Sequence, residues 1–256
     1  MRITVLLENV SDNPVLKAEH GLSLYIETQS HKLLFDMGQS ELFYENSQKL
    51  DVDLSDVDIA VLSHGHYDHG GGLSKFLEIN SKAKVYLNKH AFEPHYNGEK
   101  YIGLDVTLKD SDRLVFVTDE FKIDDSLTLF DCNKESANWI INSGGLSVVE
   151  NGTKTADKFL HEQYLMIEEN NKKVLISGCS HKGILNISDF FDADVVVGGF
   201  HTSKWERADV ELLAQTLCKS NTAYYTCHCT GYEQYEFMKQ YADNIRYLST
   251  GFEIVL

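Results

Sequence analysis

The stretch SHGHYDHGGG, residues 63–72, gathers three histidines and an aspartate and ends in three glycines. The apolar residues before it predict the end of a β-strand. On extended backbone the rings of His64 and His66 project to the same side and can grip one ion. Asp68 and His69 follow where the chain bends into a helix, and the glycines let the backbone pass close to the ligands. This order predicts a metal site rather than an exposed polar loop.

Three later stretches are expected to complete the site. LISGCSHKG, VVVGGFH and YYTCHCTG each run from an apolar strand to a histidine, at His181, His201 and His228. Strand ends on one side of a sheet share an edge, so these side chains should converge on the first cluster. We predict metal-ligand roles for His181 and His228. His201 stays open between a ligand, a catalytic or substrate-binding group and a core residue.

Other side chains at strand ends extend this prediction. Cys179 could reach the metal as a soft ligand or could be an inert buried thiol. Asp36, in LLFDMG, is expected to orient a ligand histidine from behind. Strand alternation points Cys227 and Cys229 away from the ring of His228, which predicts packing roles for both thiols. Three further histidines stand in polar sequence and are expected at the surface: His31, His90 and His95.

Composition narrows the class of protein. A chain of 256 residues can bury a full core, and no Pro- or Ser-rich linker divides it, so we predict one domain over residues 1–256. The net charge of −16 repels phosphate backbones and anionic membranes, which leaves a small-molecule substrate as the expected partner, with the oligomeric state open. The five cysteines show no disulfide spacing, and the apolar N-terminal run is too short for a signal peptide. We therefore expect a cytoplasmic protein.

Short β-branched runs alternate with helical periodicity along the chain. Strands are predicted at residues 3–7, 22–27, 32–35, 59–62, 84–87, 114–117, 126–130, 164–167, 174–177, 195–197, 223–226 and 245–248. Helices are predicted at residues 39–50, 72–79, 182–190, 205–218 and 232–241. Residues 90–111 show neither period and are expected to form a loop-rich excursion. The alternation suggests an α+β fold of two mixed sheets packed face to face with helices outside.

The ordered motifs resemble the metallo-β-lactamase superfamily through the strand-ending Asp36, the signature HGHYDH and the late His228. AEHGLSLYIET, LLFDMGQS, VLSHGHYDHGGGL, FLHEQYLMIE, GCSHKGILNI, GGFH and CHCTG, in this order, resemble one branch of metal-dependent hydrolases. That branch includes the archaeal synthase of methanopterin biosynthesis that joins a dihydropterin to a ribofuranosyl-aminobenzene phosphate. The resemblance covers nearly the whole chain and implies an αβ/βα sandwich.

By this resemblance, His64 and His66 would hold one divalent metal, and Asp68, His69 and His228 another. Zinc is the expected ion, with iron, manganese or nickel as alternatives. The chain departs from the superfamily pattern where a bridging aspartate usually follows a glycine. Cys179 stands there instead, with His181 two residues later, and His161 precedes that strand as a weaker ligand candidate.

The resemblance and the ligand set together suggest metal-assisted hydrolysis of an ester or phosphoester, with water activated by the metal. Asp68 and His201 are the candidate catalytic groups. Lys182, Lys204 and Arg207 are candidate contacts to an anionic substrate, against solvated surface charge as the alternative reading. Two other functions stay open: a pterin-linked condensing synthase that releases pyrophosphate, and a non-catalytic metal-binding or ligand-sensing module on the same fold.

Overall fold

The computed structural model describes all 256 residues and contains eighteen strands. In chain order they are β1 (Arg2–Leu7), β2 (Ser23–Glu27), β3 (Lys32–Phe35), β4 (Ile59–Val61), β5 (Lys84–Asn88), β6 (His95–Asn97), β7 (Lys100–Tyr101), β8 (Leu114–Val117), β9 (Glu120–Lys122), β10 (Leu127–Phe130), β11 (Leu146–Glu150), β12 (Thr153–Ala156), β13 (Tyr164–Glu169), β14 (Lys172–Ile176), β15 (Val195–Val197), β16 (Ala223–Thr226), β17 (Ile245–Tyr247) and β18 (Glu253–Val255).

Six α-helices and four 3₁₀ turns connect these strands. The helices are α1 (Leu42–Lys49), α2 (Tyr67–Gly70), α3 (Leu73–Ile79), α4 (Ile184–Phe191), α5 (Arg207–Leu217) and α6 (Tyr232–Met238). The 3₁₀ turns span Leu54–Asp56, Val106–Leu108, Glu135–Asn138 and His228–Thr230. The longest helix, α5, has 11 residues, and none joins the length to the apolar character that a membrane crossing needs.

Three sheets organise the strands. The first has the order β18-β1-β2-β3-β4-β5-β8, and the second has the order β17-β16-β15-β14-β13-β10-β9. A third, four-stranded sheet has the order β12-β11-β6-β7. Strands β3, β4, β5 and β8 are mutually parallel, as are β14 to β17. The carboxyl ends of these parallel strands carry the candidate site.

The core lies between the two large sheets. Val5 and Phe35 of the first sheet and Ile167 and Val197 of the second are fully buried in one apolar cluster. Apolar faces of α1 and α3 cover the outer side of the first sheet, and those of α4, α5 and α6 cover the second. Each sheet therefore buries both faces, which explains the continuous apolar runs of its strands. The predicted α+β sandwich with helices outside is confirmed.

The twelve strands predicted from sequence are all present, within one or two residues at their ends. Six more were missed: β6, β7, β9, β11, β12 and β18. These strands are short or lie at sheet edges or in the third sheet, where few side chains are buried and the period-2 signal is weak. Residues 90–111, expected as loop, contribute β6 and β7 to that third sheet.

Backbone strain marks the edge where the parallel strands end. Asp36, His201 and His228 all have positive φ, at 58°, 54° and 49° respectively. Such left-handed conformations are costly for non-glycine residues and are concentrated at functional sites. Gly178 shows a different constraint, because a Cβ atom there would lie 2.2 Å from Oγ of Ser63. Only glycine lets the end of β14 approach the end of β4 so closely.

Candidate metal centre

The first half of the centre comes from the turn after β4. His66 stands at the start of α2, and Asp68 and His69 lie within that helix. His64 and His69 are completely buried, and His66 is nearly so. The rings of His64 and His66 are neighbours, with centroids 4.6 Å apart in an edge-to-face arrangement.

The second half arrives from the ends of β14 and β16. Two groups of three ligand atoms, each within 4.8 Å of one another, share one thiol: His64, Cys179 and His181 form one, and His69, Cys179 and His228 the other. Sγ of Cys179 lies 3.2 Å from Nε2 of His69. The cysteine thus lies between the two groups, in the position where the superfamily pattern has a bridging aspartate.

Hydrogen bonds assign the ring protons of the second group. Nδ1 of His69 lies 2.6 Å from Oδ2 of Asp36, and Nδ1 of His228 lies 2.8 Å from Oδ1 of Asn9. Both oxygens are acceptors, so each Nδ1 carries the proton and each Nε2 presents a lone pair. These two Nε2 atoms lie 3.2 Å apart. Asp36, predicted to orient a ligand histidine, lies in the position that does so.

The first group repeats this arrangement. The Ser63 hydroxyl donates to Oδ2 of Asp36 at 2.7 Å and accepts from Nδ1 of His64 at 2.8 Å. Nε2 of His64 therefore presents a lone pair, 3.4 Å from Nε2 of His181. Buried lone pairs that face one another repel unless a cation lies among them. The residues present fit a metal ion in each group, since histidine nitrogen and cysteine sulfur are the donors that zinc prefers.

Burial sets the charge states of the ligands. It lowers the pKa values of His64, His66 and His181 well below the ordinary range, so these rings are neutral and available to a metal. Burial alone would raise the pKa of the Asp68 carboxyl, but hydrogen bonds from His20 and His228 outweigh it and hold that pKa well below its usual range. Asp68 is therefore an ionised carboxylate in the same site.

A cavity of about 540 Å³ opens above the two groups. Cys179, His181 and His228 line it from the metal side. The remaining wall is mostly polar and aromatic, and its members include Asn9, His20, Asn97, Lys100, Asn142, His201, Lys204 and Trp205. The ring of His201 lies 4.3 Å from that of His181, which places it beside the first group rather than in the core. A small polar molecule can reach the metal ligands through this opening.

Two of the three predicted substrate contacts lie elsewhere. Lys182 is fully buried, and its Nζ donates to the carbonyl oxygens of Asp131 and Glu162 and to Oδ1 of Asn133. The guanidinium group of Arg207 stacks 4.6 Å from the ring of Phe237 and does not line the cavity. The substrate-binding prediction is therefore corrected for both residues, because one cation is used inside the fold and the other on the outer helices.

Two further expectations are wrong. Cys229 lines the cavity, and its Sγ accepts a hydrogen bond from the backbone N–H of His201 at 3.3 Å. Strand alternation fails there because β16 has already ended and the chain turns into a 3₁₀ helix at His228. His95, expected at the surface, is completely buried. Cys227 is buried between the sheets, whereas His31 and His90 are partly exposed and paired with carboxylates.

Three site residues escaped the sequence analysis. Glu8 and Asn9 follow β1, and both bond to His228: Oε1 of Glu8 accepts its backbone N–H, and Asn9 holds its ring. His20 places Nε2 3.0 Å from Oδ2 of Asp68. The signal was available for the first two, since they end an apolar strand as Asp36 does. His20 lies in an irregular segment with no comparable signal.

The fold and the paired ligand groups define a class of protein. The chain belongs to the metallo-beta-lactamase superfamily, whose sequence model matches residues 16–152. This fold binds divalent metal ions, and the superfamily consists mostly of metal-dependent hydrolases.

Relatives along the whole chain agree with this assignment. The crystal structure of Tm1679, a metal-dependent hydrolase of the beta-lactamase superfamily, matches with a TM-score of 0.85 and 32% identity, covering 100% of this chain and 99% of the other. The 7,8-dihydropterin-6-methyl-4-(beta-D-ribofuranosyl)-aminobenzene-5'-phosphate synthase of Methanocaldococcus jannaschii is 28% identical over 98% of this chain and 95% of its own length. Zn(2+)-bound PqqB from Methylobacterium extorquens, 11% identical with a TM-score of 0.60 and full coverage of both chains, shares the fold.

Proposed function

We propose that the protein is a zinc-dependent hydrolase of an ester or phosphoester bond in a small, anionic metabolite. One observation carries the proposal: two pairs of buried histidine nitrogens face each other, with Cys179 between them, at the floor of an open cavity. A structural zinc site is closed by its protein ligands, whereas a catalytic site opens to substrate.

The ligand groups divide the metal-binding work between two positions. His64 and His181 would hold one ion, and His69, His228 and Asp68 the other, with the Cys179 thiolate shared. The chemistry that divalent ions supply in such a site is Lewis-acid activation of water and of the electrophilic oxygen.

Asp68 is the proposed proton acceptor. Its carboxylate is ionised, lies beside the second group and lines the cavity. Nε2 of His20 contacts the same oxygen at 3.0 Å, and the His20 side chain is 54% exposed. A proton accepted by Asp68 therefore has a short route to solvent through an exposed imidazole, which is the work of a general base with a relay.

Local positive charge supports an anionic substrate against the net charge of −16. Lys100 and Lys204 both line the cavity, from opposite walls, and Trp205 adds an aromatic face beside Lys204. His201 borders the first ligand group and is placed to contact the substrate near the reacting bond. A small-molecule partner fits this lining better than a nucleic acid or a membrane surface. The five free cysteines suit a reducing compartment such as the cytoplasm.

The test is a substrate panel on metal-loaded protein, with phosphomonoesters, phosphodiesters, lactones and thioesters. We expect turnover on at least one class, lost on chelation and restored by zinc. His228→Asn should reduce that activity by several orders of magnitude, whereas His90→Gln should leave it unchanged because His90 pairs with Glu93 away from the cavity. Metal bound at one or two equivalents with no turnover on any class would indicate the non-catalytic module instead.

A condensing synthase is the second candidate function. It rests on the relative from Methanocaldococcus jannaschii, which matches nearly the full length of both chains. Incubation with a dihydropterin diphosphate and the ribofuranosyl-aminobenzene phosphate would release pyrophosphate if this reading is right. Pyrophosphate release together with an inactive hydrolysis panel would replace the hydrolase by the synthase.

A further inference from the structure

A second histidine cluster lies behind the metal centre. His66, His95, Asp157 and His161 each offer one ligand atom within 4.8 Å of the others. All four side chains are at least nine-tenths buried. The rings of His95 and His161 are 3.8 Å apart, and that of His66 lies 5.5 Å from His95 and 5.0 Å from His161. Neither His95 nor Asp157 contributes to the two groups that share Cys179.

Hydrogen bonds again assign the ring protons. Nδ1 of His161 accepts the backbone N–H of Gly65 at 2.8 Å, so the proton of this neutral ring is on Nε2, 3.4 Å from Oδ2 of Asp157. The same carboxylate oxygen lies 3.0 Å from Nδ1 of His95, which therefore donates. His161 thus supports Asp157, and Nε2 of His95 is left with a lone pair.

The remaining ligand atoms have no partner. Nε2 of His66 and Nε2 of His95 are both buried without any hydrogen bond. Unpartnered buried nitrogens are expensive, so each calls for a specific partner. A lone pair on His95, a second imidazole and a buried carboxylate match the donor set of a zinc-like divalent cation.

We propose that His66, His95 and Asp157 form an additional divalent-cation site, with His161 holding the Asp157 carboxylate in place. The cation belongs to the class that prefers imidazole and carboxylate donors, as zinc does. His66 is available to this site because His64, Cys179 and His181 already form a complete three-donor group without it.

The site joins two parts of the fold. His95 lies in β6, and Asp157 directly follows β12, so both come from the third sheet. His66 and His161 belong to the sandwich. Asn97, Lys100 and Leu146 of the third sheet line the cavity. A cation bound here would fasten this wall of the cavity to the catalytic edge.

Metal counting tests the proposal. Wild-type protein loaded with zinc and desalted is compared with His95→Gln, Asp157→Asn and the matched control His90→Gln by elemental analysis. We expect the first two variants to carry one equivalent less than wild type, and the control to match wild type. His181→Asn should lose metal from the centre at the cavity floor while keeping the additional equivalent. Equal zinc in folded His95→Gln, Asp157→Asn and wild-type protein would overturn the proposal.

A second measurement avoids dependence on variants that fold poorly. Anomalous diffraction at the zinc edge from wild-type crystals should show a peak about 2.1 Å from Nε2 of His95, the ordinary zinc–imidazole distance. A map with peaks only at the Cys179 groups, or with water between His66 and His95, would refute the site. This outcome is independent of whether the protein hydrolyses any substrate, so it separates this proposal from the proposed function.

Discussion

Nε2 of His69 and Nε2 of His228 lie 3.2 Å apart, with the proton of each ring donated from the opposite nitrogen to a side-chain oxygen. Asp36 and Asn9 enforce this orientation from two different strand ends. The chain therefore stores an unfavourable contact between two lone pairs that a cation would convert into two ligand bonds. The residues behind the ligands fix the chemistry as firmly as the ligands themselves.

Loss of the acceptor at Asp36 should weaken metal binding. In Asp36→Asn the carboxylate that accepts from His69 and Ser63 is replaced by an amide, so the ring of His69 is no longer held in one tautomer. We expect metal affinity to fall about 10- to 100-fold, the range for such supporting residues. Competition with a chromophoric chelator measures it. Asp56→Asn is the control, because Asp56 is an exposed partner of Lys32, and equal affinities for both variants would contradict the assignment.

Cys179→Ser should affect both metal positions at once. Its thiol belongs to both ligand groups, and a hydroxyl is a much weaker zinc ligand than a thiolate. We expect lower affinity for both equivalents in a zinc titration. The exposed Cys218 provides the control variant Cys218→Ser, which should bind as wild type does. Weakening of a single equivalent would show that the thiol serves only one group.

Lys182 and Lys204 should separate stability from substrate binding. Lys182→Met removes a buried ammonium group with three acceptors beside Glu162, and we expect a loss of about 3–5 kcal/mol in the free energy of unfolding. Lys204→Met removes an exposed charge in the cavity wall and should leave that free energy nearly unchanged. With an anionic substrate it should raise KM instead. Urea unfolding and steady-state kinetics on both variants check the pair, and a reversed result would mean that the two lysines are misassigned.

The metal-free protein should lose stability as the pH falls below about 6.5. Burial lowers the pKa values of His64, His66 and His181 in the folded state, and it lowers the pKa of His161 from 6.5 to about 4. The unfolded chain therefore binds protons between these values that the folded chain does not. The stabilising contribution is complete above pH 6.5 and declines towards pH 4. Urea unfolding of chelated protein from pH 8 to pH 5 measures it, and a free energy of unfolding that rises as the solution is acidified would contradict the neutral histidine cluster.

Local periodicity carried much of the information about this fold. The twelve strands of the sequence analysis are those with buried apolar faces, and the ligands of HGHYDH follow the strand that it assigned. Asp36, His181 and His228 were found by one rule, that polar residues at the ends of parallel strands meet at one edge. The same rule applied to Glu8 and Asn9 would have found two more residues of the site.

Tertiary packing decided the remaining features. Lys182 lies beside a ligand in sequence, yet its side chain points into the fold, where three oxygens surround it. The turn at His228 brings the Cys229 thiol to the cavity against strand alternation. His95 and Asp157 meet through a third sheet whose short strands leave no clear period. Sequence alone determined which residues could bind a metal, because donor chemistry and strand ends are local properties. Only the folded chain decided which of them share an ion, since that depends on distances between segments far apart in sequence.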